Sequence, residues 1–235
     1  YSATDARTFE GIMKRTKRAA AQLTRMEKTN RRVAKKATPL PADRTALVDY
    51  GQISVIALAG YNNAFQATIY RIIADRIFDA RVSEDLGLPV LLVLEEAHNF
   101  APAEAKYPAE KQAIATTKQI AQEGRKFGVG LILISQRPSR LDETTLSQCN
   151  SYLIMRLSNP ADQSYVRRVI ETLGEDEAKI LPDLDVGEAL LTGQFINFPV
   201  LVKMQEPKSR GEREEKDAFE ELEAAYGNLR DERRK

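Results

Sequence analysis

"VLLVLEEAHNFAP" occupies Val90 to Pro102: an aliphatic run, two adjacent glutamates, a histidine and the start of a loop. An apolar run without polar alternation is the pattern of a strand buried on both faces. Such a strand gains nothing in packing from two carboxylates at its tip, because removing a carboxylate from water opposes folding. A second run, "VGLILISQRPS" (Val129 to Ser139), has the same form and ends in Ser135 and Gln136 instead. Two strands that both end in polar groups suggest the rim of a site.

Outward from these runs, the chain alternates between helical and extended patterns. Residues 4–36 read as a helix with an apolar stripe (Phe9, Ile12, Met13, Leu23, Met26) among basic residues, closed by the linker "TPLPAD" (Thr38 to Asp43). Strands are predicted at Gln52–Leu58, Val90–Leu94, Val129–Ser135, Ser151–Leu157, Glu188–Thr192 and Pro199–Met204. Helices are predicted at Asn62–Arg81, Ala109–Phe127, Leu141–Cys149, Pro160–Leu173 and Glu175–Leu181. Buried strands separated by helices predict an α/β fold with a parallel sheet covered on both faces. The expected division is a basic helical segment and linker at 1–43, the α/β body at 44–206 and a charged helix at 207–235.

Composition bounds the class. With 43% hydrophobic and 29% charged residues among 235, the chain can bury a full core. Its apolar runs are too short to cross a bilayer, which predicts no membrane partner. The single cysteine, Cys149, excludes an internal disulfide framework and fits a reducing, cytoplasmic setting; it reads as a small buried side chain. Net charge is only +1, yet residues 1–36 carry +8 and the remainder −7. A basic arm of this kind attracts nucleic acid, and the alternative is a solvated helix face.

In a parallel sheet, functional groups collect at the carboxyl ends of the strands. Glu95 and Glu96 follow Leu94 directly, and two carboxylates there can hold Mg²⁺ and polarise an attacking water, the two tasks of γ-phosphate hydrolysis. Gln136 offers a neutral amide to sense a γ-phosphate or orient a water. Plainer readings are a strand-end ion pair for the acids and a backbone-bonded turn amide for Gln136. His98, the only histidine, reads as a packed loop residue.

The ordered series "LLVLEEAHNF", "EGRKFGVGLILISQRPS", "LIMRLSNPADQ" and "LPDLDVGEALLTG" resembles the HerA family of hexameric DNA translocases, related to FtsK and to conjugative ATPases. The resemblance covers roughly residues 50–205. It implies a RecA-like P-loop ATPase core, ATP and Mg²⁺ as cofactors, homo-hexameric rings, movement along double-stranded DNA, and a NurA-type nuclease partner in resecting DNA ends. By position, Glu95 matches the magnesium-side acid, Glu96 the catalytic base and Gln136 the sensor. Arg125 looks like an arginine donated to a neighbouring subunit's nucleotide, placed at the same sheet edge as Gln136, and Arg156 is a second candidate. Lys106, Tyr107, Lys111, Arg137 and Arg140 lie on the loops that face the channel in RecA-like rings, where they would contact DNA phosphates.

No G-x-x-x-x-G-K-[ST] motif occurs in the sequence. In the family this loop precedes the helical insertion, so the chain is expected to be the C-terminal part of a translocase, unable to hydrolyse ATP by itself. Two alternatives stand beside this reading: a conjugative or type IV secretion ATPase, and a non-catalytic nucleic-acid-binding assembly module.

Overall fold

Strands β1 (Val90–Leu94) and β2 (Val129–Leu133) lie side by side and parallel in the computed structural model, which describes residues 3–33 and 37–208. Their register pairs Val90 with Val129 and Leu94 with Leu133, so both strands end level. The chain between them passes through helix α3, Pro108–Glu123, while α2, Asn63–Val82, precedes β1. Asn62 caps α2 by accepting a hydrogen bond from the Phe65 amide at 2.9 Å. The two helices share the main core with the strands: Tyr70, Ala74 and Phe78 of α2 and Ala113 and Ile120 of α3 join Leu94 and Val129. Buried hydroxyls lock the helix pair, Tyr70 Oη with Thr117 Oγ1 at 3.0 Å and Thr116 Oγ1 to Asp75 Oδ1 at 2.7 Å.

Helix α1, Ala3–Val33, precedes this body, and Asn30 Nδ2 ties it down by donating to the Ala57 and Ala59 carbonyls at 2.8 and 2.9 Å. Beyond β2 come α4 (Glu143–Ser147), β3 (Ser151–Ile154), α5 (Pro160–Val169), α6 (Glu175–Ile180), β4 (Glu188–Gly193) and β5 (Val200–Lys203). The last three strands form a second sheet in the order β3-β4-β5, with β3 antiparallel to β4. Its core joins Ile154 and Leu190 to Val166, Ile170, Leu173, Leu181 and Leu184.

Three expectations are corrected. Among the described residues the strands form two sheets rather than one: β1 and β2 pair in parallel, whereas β4 returns antiparallel alongside β3 after α5 and α6. Gln52–Leu58 makes no ladder among the described residues: Ile53 is 90% and Val55 85% exposed, and a strand without a neighbour has nowhere to pair its backbone. The described residues cover the β1–β2 sheet on one face only. Leu92, Leu94, Val129, Leu131 and Leu133 face α2 and α3, while the alternating Leu91, Val93, Ile132 and Ile134 are exposed.

The chain divides into a large unit, 1–202, and a second one, 203–235. The charged helix expected at 207–235 lies, apart from residues 207 and 208, outside the described residues. No described helix is long and apolar enough to cross a membrane.

Candidate active site

Hydrogen bonds continue past the ends of β1 and β2 and bring their polar exits together. The Ile134 amide donates to the Leu94 carbonyl at 2.9 Å, and the Ala97 amide returns to the Ile134 carbonyl at 2.8 Å. Glu95, Glu96, Ser135 and Gln136 therefore leave one sheet edge as neighbours. Glu95 is exposed, and no described residue forms a hydrogen bond or ion pair with its carboxylate. The chain then turns sharply. Glu96 adopts a left-handed backbone, φ 50° and ψ 53°, and starts a 3-10 turn at Ala97–Asn99. Its carbonyl accepts from the Asn99 amide at 2.8 Å, while Ala97 is fully buried.

That turn carries His98 back over Glu96. Nδ1 of the imidazole lies 3.2 Å from Oε2 of the carboxylate, with only 20% and 34% of the two side chains exposed. Both atoms are sealed from solvent, and neither makes a hydrogen bond of good geometry. Gln136 is exposed. The backbone-capping task considered for its amide belongs to Ser135, whose Oγ accepts from the Arg137 amide at 3.1 Å.

The two loops beyond these strands are laced into one unit. Ala103 donates to the Arg140 carbonyl at 2.7 Å and Asp142 to the Ala101 carbonyl at 2.9 Å, flanking a bridge between Pro102 and Leu141. Lys106, Tyr107, Lys111, Arg137 and Arg140 are all exposed on this unit or at the start of α3, and none has an ion-pair partner among the described residues. Two buried acids set the loops, and sequence reading missed both. Glu110 accepts from the Lys106 and Tyr107 amides at 2.6 and 3.1 Å, and its place three residues into α3 is the available signal. Asp162 accepts from the Ser139 amide at 2.9 Å across 23 residues of sequence, which no local pattern announces.

The arginines are placed differently from expectation. Arg125 lies on the 3-10 turn Gly124–Phe127, ahead of the first residue of β2, and Gln136 lies beyond its last. A five-residue strand rising about 3.3 Å per residue separates those edges by roughly 16 Å. Arg125 is thus at the amino edge, and the expectation that it shares an edge with Gln136 is corrected. Arg156 leaves the carboxyl end of β3 two residues beyond Ile154. Both arginines are exposed and without an ion pair among the described residues. Cys149 is partly buried, and burial pushes its thiol up to about 11, which keeps it protonated and unreactive.

The described residues contain no cluster of three metal-ligating side chains. Magnesium at nucleotide sites rests on one or two carboxylates with substrate phosphates and water, a requirement the unpartnered Glu95 fits.

No family model matches the chain. It is 37% identical over 163 residues to the DNA double-strand break repair helicase HerA of Sulfolobus acidocaldarius, covering 67% of this chain and 32% of that protein. Identity to the HerA helicase of Pyrococcus furiosus is 46% over 119 residues, covering 51% and 21%. A probable helicase of Methanocaldococcus jannaschii, MJ1565, is 43% identical over 134 residues, covering 57% and 24%. The chain thus spans about a fifth to a third of the length of these relatives. Among solved structures, the genome packaging NTPase B204 of Sulfolobus turreted icosahedral virus 2, in complex with ATP-gammaS, superposes with a TM-score of 0.51 at 17% identity, covering 74% of this chain and 76% of that one. That likeness shows a shared α/β ATPase-like fold. Over the aligned half to two thirds of its length, the chain is a homologue of part of the HerA-type helicases, the family that its motifs resemble.

Proposed function

We propose that this chain is the C-terminal part of an ATP-driven translocase or helicase on double-stranded DNA, contributing the hydrolytic half of its nucleotide site. The carrying observation is the level ending of β1 and β2, which sets Glu95, Glu96 and Gln136 at one edge. Similarity to the HerA helicases supports the same reading.

In this reading Glu96 takes the proton of the water that attacks the γ-phosphate. Glu95 and phosphate oxygens would hold Mg²⁺, whose charge offsets the negative charge that builds during transfer. Gln136 orients the water or senses the γ-phosphate without competing for the proton. The phosphate-binding loop comes from outside this chain, so the chain alone does not turn over ATP. Arg125 or Arg156 reaches the nucleotide of a neighbouring subunit in a homo-hexameric ring. The position of Arg125 at the amino edge, a strand's length from its own subunit's Gln136, supports a reach toward a neighbouring subunit rather than its own. The exposed cations Lys106, Lys111, Arg137 and Arg140, with Tyr107, contact DNA phosphates from the channel loops. A NurA-type nuclease completes the end-resection machinery.

The test is Glu96→Gln in the full-length protein. The amide keeps the size of the side chain and removes the base, so ATP binding should persist while turnover falls by at least a hundredfold. Turnover near wild type would remove Glu96 from the role of base and transfer the test to Glu95.

A further inference from the structure

Two sealed polar atoms at the end of β1 face each other, and neither has a hydrogen-bond partner among the described residues. Oε2 of Glu96 and Nδ1 of His98 sit 3.2 Å apart, both shielded from solvent and both lacking a hydrogen bond. Buried polar atoms are nearly always paired, because leaving one unpaired forfeits its hydration without return. A carboxylate oxygen only accepts, so the pair is favourable only with a proton on Nδ1; two facing lone pairs would repel. The backbone brings the groups into contact. Left-handed φ at Glu96 and the 3-10 turn at Ala97–Asn99 fold residue 98 onto residue 96, while buried Ala97, bonded to Ile134, fixes the turn to β2. A non-glycine residue adopts that φ only where its surroundings impose it, and such strain concentrates at working sites.

We propose that His98 is a positioning residue for Glu96: its Nδ1–H holds Oε2 and leaves Oε1 to take the proton from water. This rests on Glu96 being the base. The arrangement removes rotational freedom from the carboxylate and fixes which oxygen faces the nucleotide. It acts on the rate of proton transfer rather than on nucleotide affinity.

His98 is the only histidine, so its ring nitrogens give unambiguous signals in a long-range ¹H–¹⁵N spectrum of this chain. The expected result is the Nδ1–H tautomer in the wild type. It should revert to the Nε2–H form favoured in solution in Glu96→Ala, and also in Glu96→Asp, whose shorter side chain draws the oxygen out of reach. An Nε2–H tautomer in the wild type, or a tautomer indifferent to both substitutions, overturns the proposal. Kinetics of the full-length protein give a separate readout. His98→Asn carries its amide donor near the position of Nδ1, and His98→Gln near that of Nε2. His98→Asn should keep kcat within about threefold, whereas His98→Gln and His98→Ala should lose at least tenfold in kcat at unchanged KM for ATP. Equal losses in all three, or losses confined to KM, overturn positioning. Glu96→Gln with wild-type turnover would instead remove the base reading, and the tautomer measurement would stand apart from it.

Discussion

At the scale of single residues, Glu96 combines a charge with a backbone that L-residues avoid. Left-handed φ brings Cβ close to the neighbouring carbonyl oxygen at a cost of about 1–2 kcal/mol, which glycine escapes. The expected outcome is that Glu96→Gly is more stable than Glu96→Ala by about 1 kcal/mol in urea unfolding, reversing the usual order of the two residues. Equal stabilities would show that the turn relaxes once the carboxylate is gone. Nothing in "EEAH" announces this conformation, since no glycine or asparagine marks it. The strand and the acids at its tip were legible because an unbroken aliphatic run followed by charge is a local pattern. The backbone of Glu96 is imposed by the tie between Ala97 and Ile134, a contact between distant segments.

At the scale of elements, α5 governs the loop that carries Arg137 and Arg140. Asp162, 4% exposed, accepts from the Ser139 amide, and the Tyr165 hydroxyl donates to the Leu141 carbonyl at 2.6 Å. Asp162→Ala leaves the Ser139 amide without its partner, which costs about 1–3 kcal/mol of stability. In the full-length protein the same substitution should reduce DNA-stimulated ATPase activity more than basal activity, because the loosened loop lies beyond Gln136. Equal reduction of both would assign Asp162 to folding alone. Helix positions followed the sequence closely, for apolar spacing, Asn62, Pro108 and Pro160 are all local signals. Pairing was less accessible. Gln52–Leu58 has the residues of a strand, but a strand is defined by its neighbour, and none of the described residues serves. The misplacement of Arg125 has a related origin: nearness to Gln136 in sequence conceals that a whole strand lies between them.

At the scale of the whole molecule, net charge near zero conceals a strong separation of sign between residues 1–36 and the rest. Along the described part of α1, Lys14 pairs with Glu10 and Arg31 with Glu27, whereas Arg15, Lys17, Arg18, Arg25, Lys28 and Arg32 are exposed without an ion pair among the described residues. The loop unit beyond β1 and β2 presents a second set of unpaired cations. If both surfaces meet duplex DNA, each phosphate contact releases counterions, and log K falls with log salt by about 0.9 per contact. Binding should be steeply salt-dependent and indifferent to sequence. Replacing Arg15, Lys17 and Arg18 by glutamine should lower the magnitude of the slope by about 2.7, and replacing Lys106, Arg137 and Arg140 should do the same independently. The measurement is fluorescence anisotropy with a labelled duplex of arbitrary sequence across a salt series. An unchanged slope in the α1 triple variant would reduce that helix to a solvated face, and an unchanged slope in the loop variant would remove the loops from the DNA path. Salt-insensitive binding by the wild type would end the reading of this chain as part of a motor that grips the phosphate backbone.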